Sequence, residues 1–575
     1  MIRLVRFLSP FKARIGLILA LTLIQSLANL YLPNLMADIV DTGIVNNDVG
    51  YIVRTGGLML AVAFGAMLCS LIATYFSSRT AVNFGKIVRA ALFRRVESFS
   101  LREFDRFGAA TLITRTTNDV TQVQFVTVLI LGMMLSAPMM CIGGLVMALS
   151  LDRPLTLVLA VAIPVLVLVI ALIARSSIPL FGLMQIKLDK LNLVLREGLT
   201  GIRVVRAFNR IEDEQQRFEA ANADLTNNAI RVNRIMAFLM PVLMLVMNCT
   251  SIAIIWFGAK RIDSGGMQVG SLIAFTQYAM QIMFALLMVS MMFILIPRGA
   301  AAATRINEVL DTAPDIADPE QAQSADGERG FVEFRHVTFR FPGAERPALD
   351  DISFSARPGE FTAILGGTGA GKSTLLHLLL RFYDVDSGSV LVDGVDVREM
   401  TQDALRAKIG FVPQKTVLFT GTIAENLRFG NPDATEAELS RAARTAQATD
   451  FIAAMDAGFD SWIAQGGANV SGGQKQRLAI ARALAQRAEI YLLDDSFSAL
   501  DFKTDARLRA ALRRETENAT VLMVAQRVAT VMDADRIIVL NEGRLVGMGR
   551  HRELMTTCTV YREIVSSQLS EEEVA

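Results

Sequence analysis

The chain is 575 residues long, 52% hydrophobic and 20% charged, with a mean hydropathy of +0.41. That composition excludes an ordinary soluble enzyme and leaves room for several domains. The net charge of +1 hides an asymmetry: residues 1–310 hold 28 Lys and Arg against 17 Asp and Glu, and the remainder holds 29 against 39. A basic, apolar half followed by an acidic, polar half suits a membrane part facing anionic lipid, with a cytosolic part attached. Neither half carries the basic stripe interleaved with aromatics that nucleic-acid binding needs, so no nucleic-acid partner is expected. Cys69, Cys141 and Cys249 lie in apolar segments and Cys558 near the C-terminus, and they read as small hydrophobes.

Met1 to Arg14 is basic and partly apolar, and predicts a short interfacial helix leading into a first span rather than a cleaved leader. Six uncharged stretches follow, each long enough to cross a bilayer: Ile15–Leu32, Gly56–Phe76, Gln122–Ser150, Pro154–Ala174, Ile235–Ala259 and Val269–Pro297. Lys and Arg crowd the segments before span one, between two and three, and between four and five. The alternate connections hold only Arg54, Arg153, Lys260 and Arg261. Both termini are therefore expected in the cytoplasm. The two long basic loops are periodic rather than rich in Gly and Pro, and predict helical extensions of the spans.

Residues 311–330 are polar with Pro and Gly and read as a linker, dividing a membrane domain (1–310) from a domain at 331–575. From Phe331 short apolar strands alternate with helical segments, the pattern of an α/β domain. The strand-like Phe361–Leu365 runs into Gly366-Gly367-Thr368-Gly369-Ala370-Gly371-Lys372-Ser373-Thr374 and then a helical stretch. This is a P-loop in the setting it requires, where backbone N–H groups and a helix N-terminus cradle phosphate. Lys372 is expected to reach the β- and γ-phosphates of ATP, and Ser373 to ligate Mg²⁺. A second apolar strand, Ile490–Leu493, ends in Asp494, placed to hold the same Mg²⁺ through water.

Between these two motifs stands Ser471-Gly472-Gly473-Gln474, opening a helical run. Here the chain resembles the ABC transporter family, whose signature motif has this form, and the resemblance covers essentially the whole chain. It implies six transmembrane helices with long cytoplasmic helical loops, fused to an α/β ABC nucleotide-binding domain. It also implies that two such domains sandwich ATP, the P-loop of one facing the signature of the other, so that the chain works as a dimer. By the same resemblance Phe341 is the aromatic that stacks on adenine, where Tyr is usual. Gln414 reaches the metal and the attacking water, and Ser498-Ala-Leu-Asp501 is a loop that signals across the dimer. Gln465 falls where many members have Glu, in a stretch that meets the membrane part; Phe104–Val120 and Gly198–Glu214 resemble the segments that carry motion between the parts.

Two positions depart from that pattern. Active members follow the strand-ending Asp with Glu, and here the residue is Asp495, one methylene shorter. The histidine that touches the γ-phosphate is replaced by Gln526, which cannot supply positive charge. The combination resembles the degenerate-site subunit of heterodimeric bacterial multidrug exporters, which implies a second half-transporter as partner and slow turnover at this chain's own site. A homodimer that tolerates Asp495 and Gln526 is the alternative.

The predicted spans contain no Asp, Glu, Lys or Arg, so nothing supports a proton relay. Gln25, Asn29, Asn248, Thr250, Gln277 and Gln281 are the polar candidates for a cavity. Met240, Met244, Met247, Met280, Met283, Met288, Met291 and Met292 offer an adaptable apolar lining, or simply pack helices and face lipid. Asp38 and Asp41 near the outer end of span one belong either to an outer gate or to solvated loop. The expected activity is ATP-driven export of lipophilic small molecules across a bacterial cytoplasmic membrane. A lipid flippase, a peptide exporter and an ATP-gated channel or sensor are the rivals.

Overall fold

The computed structural model describes residues 2–323 and 329–568, with the side chains of Ile2, Met291, Phe293 and Ile294 outside the description. The chain divides into two compact units. One comprises residues 1–97 and 108–312, the other residues 98–107 and 313–575.

The first unit is built from six long helices that are apolar enough to cross a membrane: Arg3–Ile44, Val49–Glu97, Ala109–Leu151, Arg153–Thr200, Ile211–Asp263 and Val269–Asp311. They run from 42 to 53 residues. At 1.5 Å per residue each is about 60–80 Å long, roughly twice the hydrocarbon thickness of a bilayer. The excess lies in the basic segments, which continue the helices as expected. Along their lengths Val49–Glu97 packs chiefly on the first helix and also meets Ala109–Leu151, while Arg153–Thr200 packs on Ile211–Asp263. The basic N-terminal stretch forms a 3₁₀ segment, Ile2–Phe11, tied by an Arg3–Asp311 ion pair of 2.5 Å to the end of the sixth helix.

Three polar devices hold this unit together where apolar packing alone gives no register. Pro33 lies within the first helix and has no N–H to give the carbonyl of Asn29. Gln281 of the sixth helix donates its Nε2 to that carbonyl at 3.3 Å, and buried Tyr278 donates its hydroxyl to Leu30 O at 2.6 Å. At one end, Asp41 caps the sixth helix, accepting from the N–H groups of Gly270 (2.5 Å) and Ser271 (3.0 Å). A side chain at position 270 would run into the Asp41 carboxyl carbon at 2.7 Å, so the close approach needs glycine. Asp41 is thus half-buried and structural, whereas Asp38 is exposed. At the other end, a π-helical turn Arg115–Asp119 turns buried Asp119 onto Arg305, which donates from Nε (2.7 Å) and a terminal nitrogen (2.5 Å).

The second unit carries the predicted α/β pattern. Its strands are β1 (Val332–Phe339), β2 (Leu349–Ala356), β3 (Phe361–Gly366), β4 (Ser387–Val392), β5 (Val395–Asp396) and β6 (Ile409–Val412). After these come β7 (Gly421–Thr422), β8 (Trp462–Ile463), β9 (Ile490–Asp494), β10 (Thr520–Val524), β11 (Arg536–Asn541) and β12 (Arg544–Gly549). The main sheet has the order β12-β11-β3-β10-β9-β6, and β11, β3, β10, β9 and β6 are parallel. Strands β9 and β10 are buried at every position, as a sheet covered on both faces requires. An antiparallel sheet, β2-β1-β4-β5, packs beside it through a shared core that includes Ile364, Leu492 and Val524.

Residues 313–323 are not free chain. Ile316 is buried, the carbonyl of Ala317 accepts from buried Arg381 at 3.1 Å, and Asp318 accepts from Gln402 at 3.0 Å. The short helix Leu101–Phe107 belongs to this unit, where Arg102 pairs with Asp315 and Asp105 bonds the Tyr383 hydroxyl.

Candidate functional site

Parallel strands deliver their C-terminal ends to one edge of a sheet, and the loops leaving that edge are where ligands are held. The predicted site residues leave β3, β6, β9 and β10 there. Gly366 to Gly371 follows β3 and opens the helix Lys372–Leu379. Gly369 (φ 81°) and Gly371 (φ 93°) take left-handed conformations, and a Cβ on Gly371 would meet Ala348 O at 2.6 Å. Gly367 and Gly369 face open space, which lets an anion approach the loop's N–H groups. Ala370 and Thr374 are buried, and Thr368 belongs to the exposed part of the loop.

Lys372 folds back over the loop, donating to Gly366 O (2.9 Å) and Gly367 O (2.7 Å). Burial pulls its ammonium below the usual lysine range, against the opposing pull of Asp495 and Asp494. Ser373 donates its hydroxyl to Asp494 Oδ1 at 2.8 Å. This hard oxygen pair, one hydroxyl and one carboxylate, fits Mg²⁺, which takes few protein ligands and keeps water and phosphate for the rest.

Asp495 follows directly, with φ 47°, a left-handed conformation that Asp tolerates better than most residues. Its Oδ2 accepts from Gln526 Nε2 at 2.9 Å, and Gln414 lies near enough to favour the charged form of the same carboxylate. Gln414 follows β6 and Gln526 follows β10, so strands on either side of β9 in the sheet bring an amide each to the edge where Asp495 stands. Burial, with the neighbouring charge of Asp494 adding to it, pushes Asp495 above the usual carboxylate range; Gln414, Lys372 and Arg527 oppose the shift. Burial pushes Asp494 up as well.

Phe341 keeps an exposed ring and meets Phe339 (4.9 Å between centroids) and Tyr383 (5.5 Å) edge-on. With 37% of the residue exposed, ring surface remains for a stacking partner. Tyr383 was not singled out from sequence; its Arg-Phe-Tyr-Asp surroundings carry no pattern that marks it.

The signature segment stands apart from the loop after β3, with no hydrogen bond or ion pair between them among the described residues. Ser471 caps the helix Gly472–Ala485, its Oγ accepting from Gln474 N at 3.3 Å, while Gln474 Oε1 accepts from Ser471 N at 2.8 Å. Gly473 lies against the carbonyl of Ala499, 3.1 Å from where a Cβ would stand. Buried Gln476, also missed from sequence, joins this helix to the Ser498–Asp501 loop: it donates to Ser498 Oγ (3.2 Å) and accepts from Ala499 N (3.1 Å). An amide on a helix face otherwise carrying buried Ala479, Ile480 and Ala483 was the available signal. Asp501 caps the next helix through Thr504 N at 3.0 Å, which holds its carboxyl below the usual range. Gln465 sits exposed in a 3₁₀ turn beside left-handed Gly466.

In the membrane unit Gln25 and Asn29 line one cleft, Gln281 bonds behind it, and Thr250 is buried and bonded to its own helix. Asn248 is exposed and Gln277 half-buried. Met283 is buried, Met247 and Met292 are half-buried, and Met240, Met244, Met280 and Met288 are exposed; the Met291 side chain lies outside the described residues.

Comparison with known proteins gives concordant matches. Residues 15–287 match the family model for the ABC transporter transmembrane region, and residues 349–498 match the family model for the ABC transporter. An uncharacterized ABC transporter ATP-binding protein of Mycobacterium tuberculosis is 46% identical, over 97% of this chain and 96% of its own length. A fatty acid ABC transporter ATP-binding/permease protein of Mycobacterium bovis is 32% identical over 90% of this chain and 82% of its own. The solved structure of a bacterial Atm1-family ABC exporter with ATP bound superposes with a TM-score of 0.82 at 26% identity. It covers 97% of this chain and 99% of that one.

Proposed function

Because the chain belongs to the ABC transporter family, with the exporter fold of six membrane helices fused to an ATP-binding domain, we propose that it is the degenerate-site half of a heterodimeric exporter. Its cargo on this reading is lipophilic small molecules, and its place is the cytoplasmic membrane of a bacterium. The observation that carries the reading is the Asp495–Gln526 pair, in which both residues depart from the family pattern and hold each other at 2.9 Å.

ATP is expected against Phe341 and along Gly366–Thr374, with the Lys372 ammonium exchanging its two loop carbonyls for β- and γ-phosphate oxygens. Ser373, Asp494 and Gln414 would hold Mg²⁺, which would supply positive charge to offset that of the phosphates. Hydrolysis also needs a carboxylate to orient water and a cation near the transferred phosphoryl group. Asp495 is one methylene short for the first task, and a misplacement of order 1 Å costs about 10²-fold. Gln526 offers only a neutral dipole for the second. The segment Ser471–Gln474 is intact and would complete the competent site whose P-loop lies on the partner. ATP binding would close the two nucleotide domains and hydrolysis would reopen them.

A second reading is a homodimeric lipid transporter. It is favoured by the similarity to the fatty acid transporter of Mycobacterium bovis and to the Atm1-family structure. ATPase activity of this chain alone in lipid, set beside that of the chain co-expressed with its neighbouring gene product, separates the two. The heterodimer predicts stimulated activity only in the mixture. Full, stimulated activity from the chain alone would favour the homodimer.

A further inference from the structure

Between the first and second membrane helices lies a cleft of about 340 Å³, lined by Gln25 and Asn29 on one side and by Ala63, Ala66, Met67 and Ser70 on the other. Gln25 and Asn29 are four residues apart, so their amides project from the same helix face. The alanines opposite keep the space open. None of the side chains of Gln25, Asn29 and Ser70 makes a hydrogen bond to a described residue. Behind them Gln281 spends its Nε2 on the carbonyl that Pro33 leaves unpaired, and its buried Oε1 has no partner.

Unpaired amides and hydroxyls inside an apolar span are costly, and they persist where something outside the chain pairs them. We propose that this cleft binds the uncharged polar group of an amphiphile, an ester, amide or hydroxyl, whose hydrocarbon lies along the exposed Met67 and Leu71. A carboxamide both donates and accepts, so the set suits a neutral group with carbonyl and hydroxyl functions. Residues 15–32 and 56–76 contain no Asp, Glu, Lys or Arg, so an ionic group would sit there without a counter-charge. The inference rests on the exporter reading and narrows its cargo from lipophilic molecules in general to neutral amphiphiles.

The test uses the full chain with its partner in lipid nanodiscs, without ATP, and measures equilibrium binding of a fluorescent diacylglycerol and of the cationic dye ethidium. Gln25→Met with Asn29→Leu removes both amides at nearly constant shape and leaves the helix apolar enough to insert. About a tenfold weakening of diacylglycerol binding, with ethidium unchanged, is expected from the loss of two hydrogen-bonding groups. The proposal is overturned if diacylglycerol binding is unaltered or if ethidium is weakened equally. It is also overturned if the double variant elutes as separated subunits, which would make the cleft a subunit contact. A Ser70→Ala variant, the smallest change in the cleft, should weaken diacylglycerol binding in the same direction, and no weakening there counts against the proposal. Binding is read without nucleotide, so failure of the exporter reading would show separately, as absence of ATP-dependent transport by the unmodified pair.

Discussion

Gln526 donates its amide to the Asp495 carboxylate at 2.9 Å, so the two residues that depart from the family's hydrolytic pattern are bonded to each other. The pair is compact: a shorter acid on a left-handed backbone (φ 47°) meets a neutral amide from the neighbouring strand. On the proposed reading each departure weakens hydrolysis, and the bond between them leaves one oxygen of the carboxylate engaged by the Gln526 amide.

Restoring the longer acid and the cation should therefore restore turnover. In the co-expressed pair with the partner's own P-loop site inactivated, the double variant Asp495→Glu with Gln526→His is expected to hydrolyse ATP up to about 10²-fold faster than the unmodified chain in the same background. Steady-state phosphate release measures it, and Asp495→Glu alone should recover only part of the gain.

The raised pKa of Asp495 has a consequence for stability. A carboxyl whose pKa is higher in the folded than in the unfolded protein favours folding when protonated, and costs stability once pH rises through the folded value. At neutral pH and without nucleotide, Asp495→Asn should therefore raise the melting temperature of the chain. The advantage should shrink as pH falls through the raised pKa, because the native carboxyl is then neutral too. Thermal unfolding at several pH values reads this, and a lower melting temperature for Asp495→Asn at neutral pH would contradict it.

Asp119 is almost wholly buried, while its partner Arg305 is about half exposed. Removing the partner of a fully buried charge costs about 3–5 kcal/mol, and solvent at the arginine discounts this pair to about 2 kcal/mol. Arg305→Met should cost that much, and Asp119→Ala less, because the cation left behind reaches water. Denaturation of the detergent-solubilised protein checks the order of the two.

Much of this was legible beforehand. The six spans follow from uncharged length, and Gly366–Thr374 with Asp494 follows from a loop that only glycine can form between a strand and a helix. Other features depended on distant pairing. Asp41 reads as gate or solvated loop, yet it caps a helix that starts more than two hundred residues later, at Val269. Tyr383 and Gln476 gain meaning only through Phe341, Asp105 and Ser498, which no local period connects. Residues 311–330 read as a polar linker because their contacts, Ala317 with Arg381 and Asp318 with Gln402, lie across the sequence.

The central claim is that bulk hydrolysis belongs to a site whose acid lies on a partner chain. It is tested most directly by steady-state ATPase activity of the co-expressed pair carrying Asp495→Ala in this chain. Retention of most of the turnover is predicted, since Asp495 would serve only the slow site. Collapse of the activity would contradict it and place the main hydrolytic step on Asp495 itself.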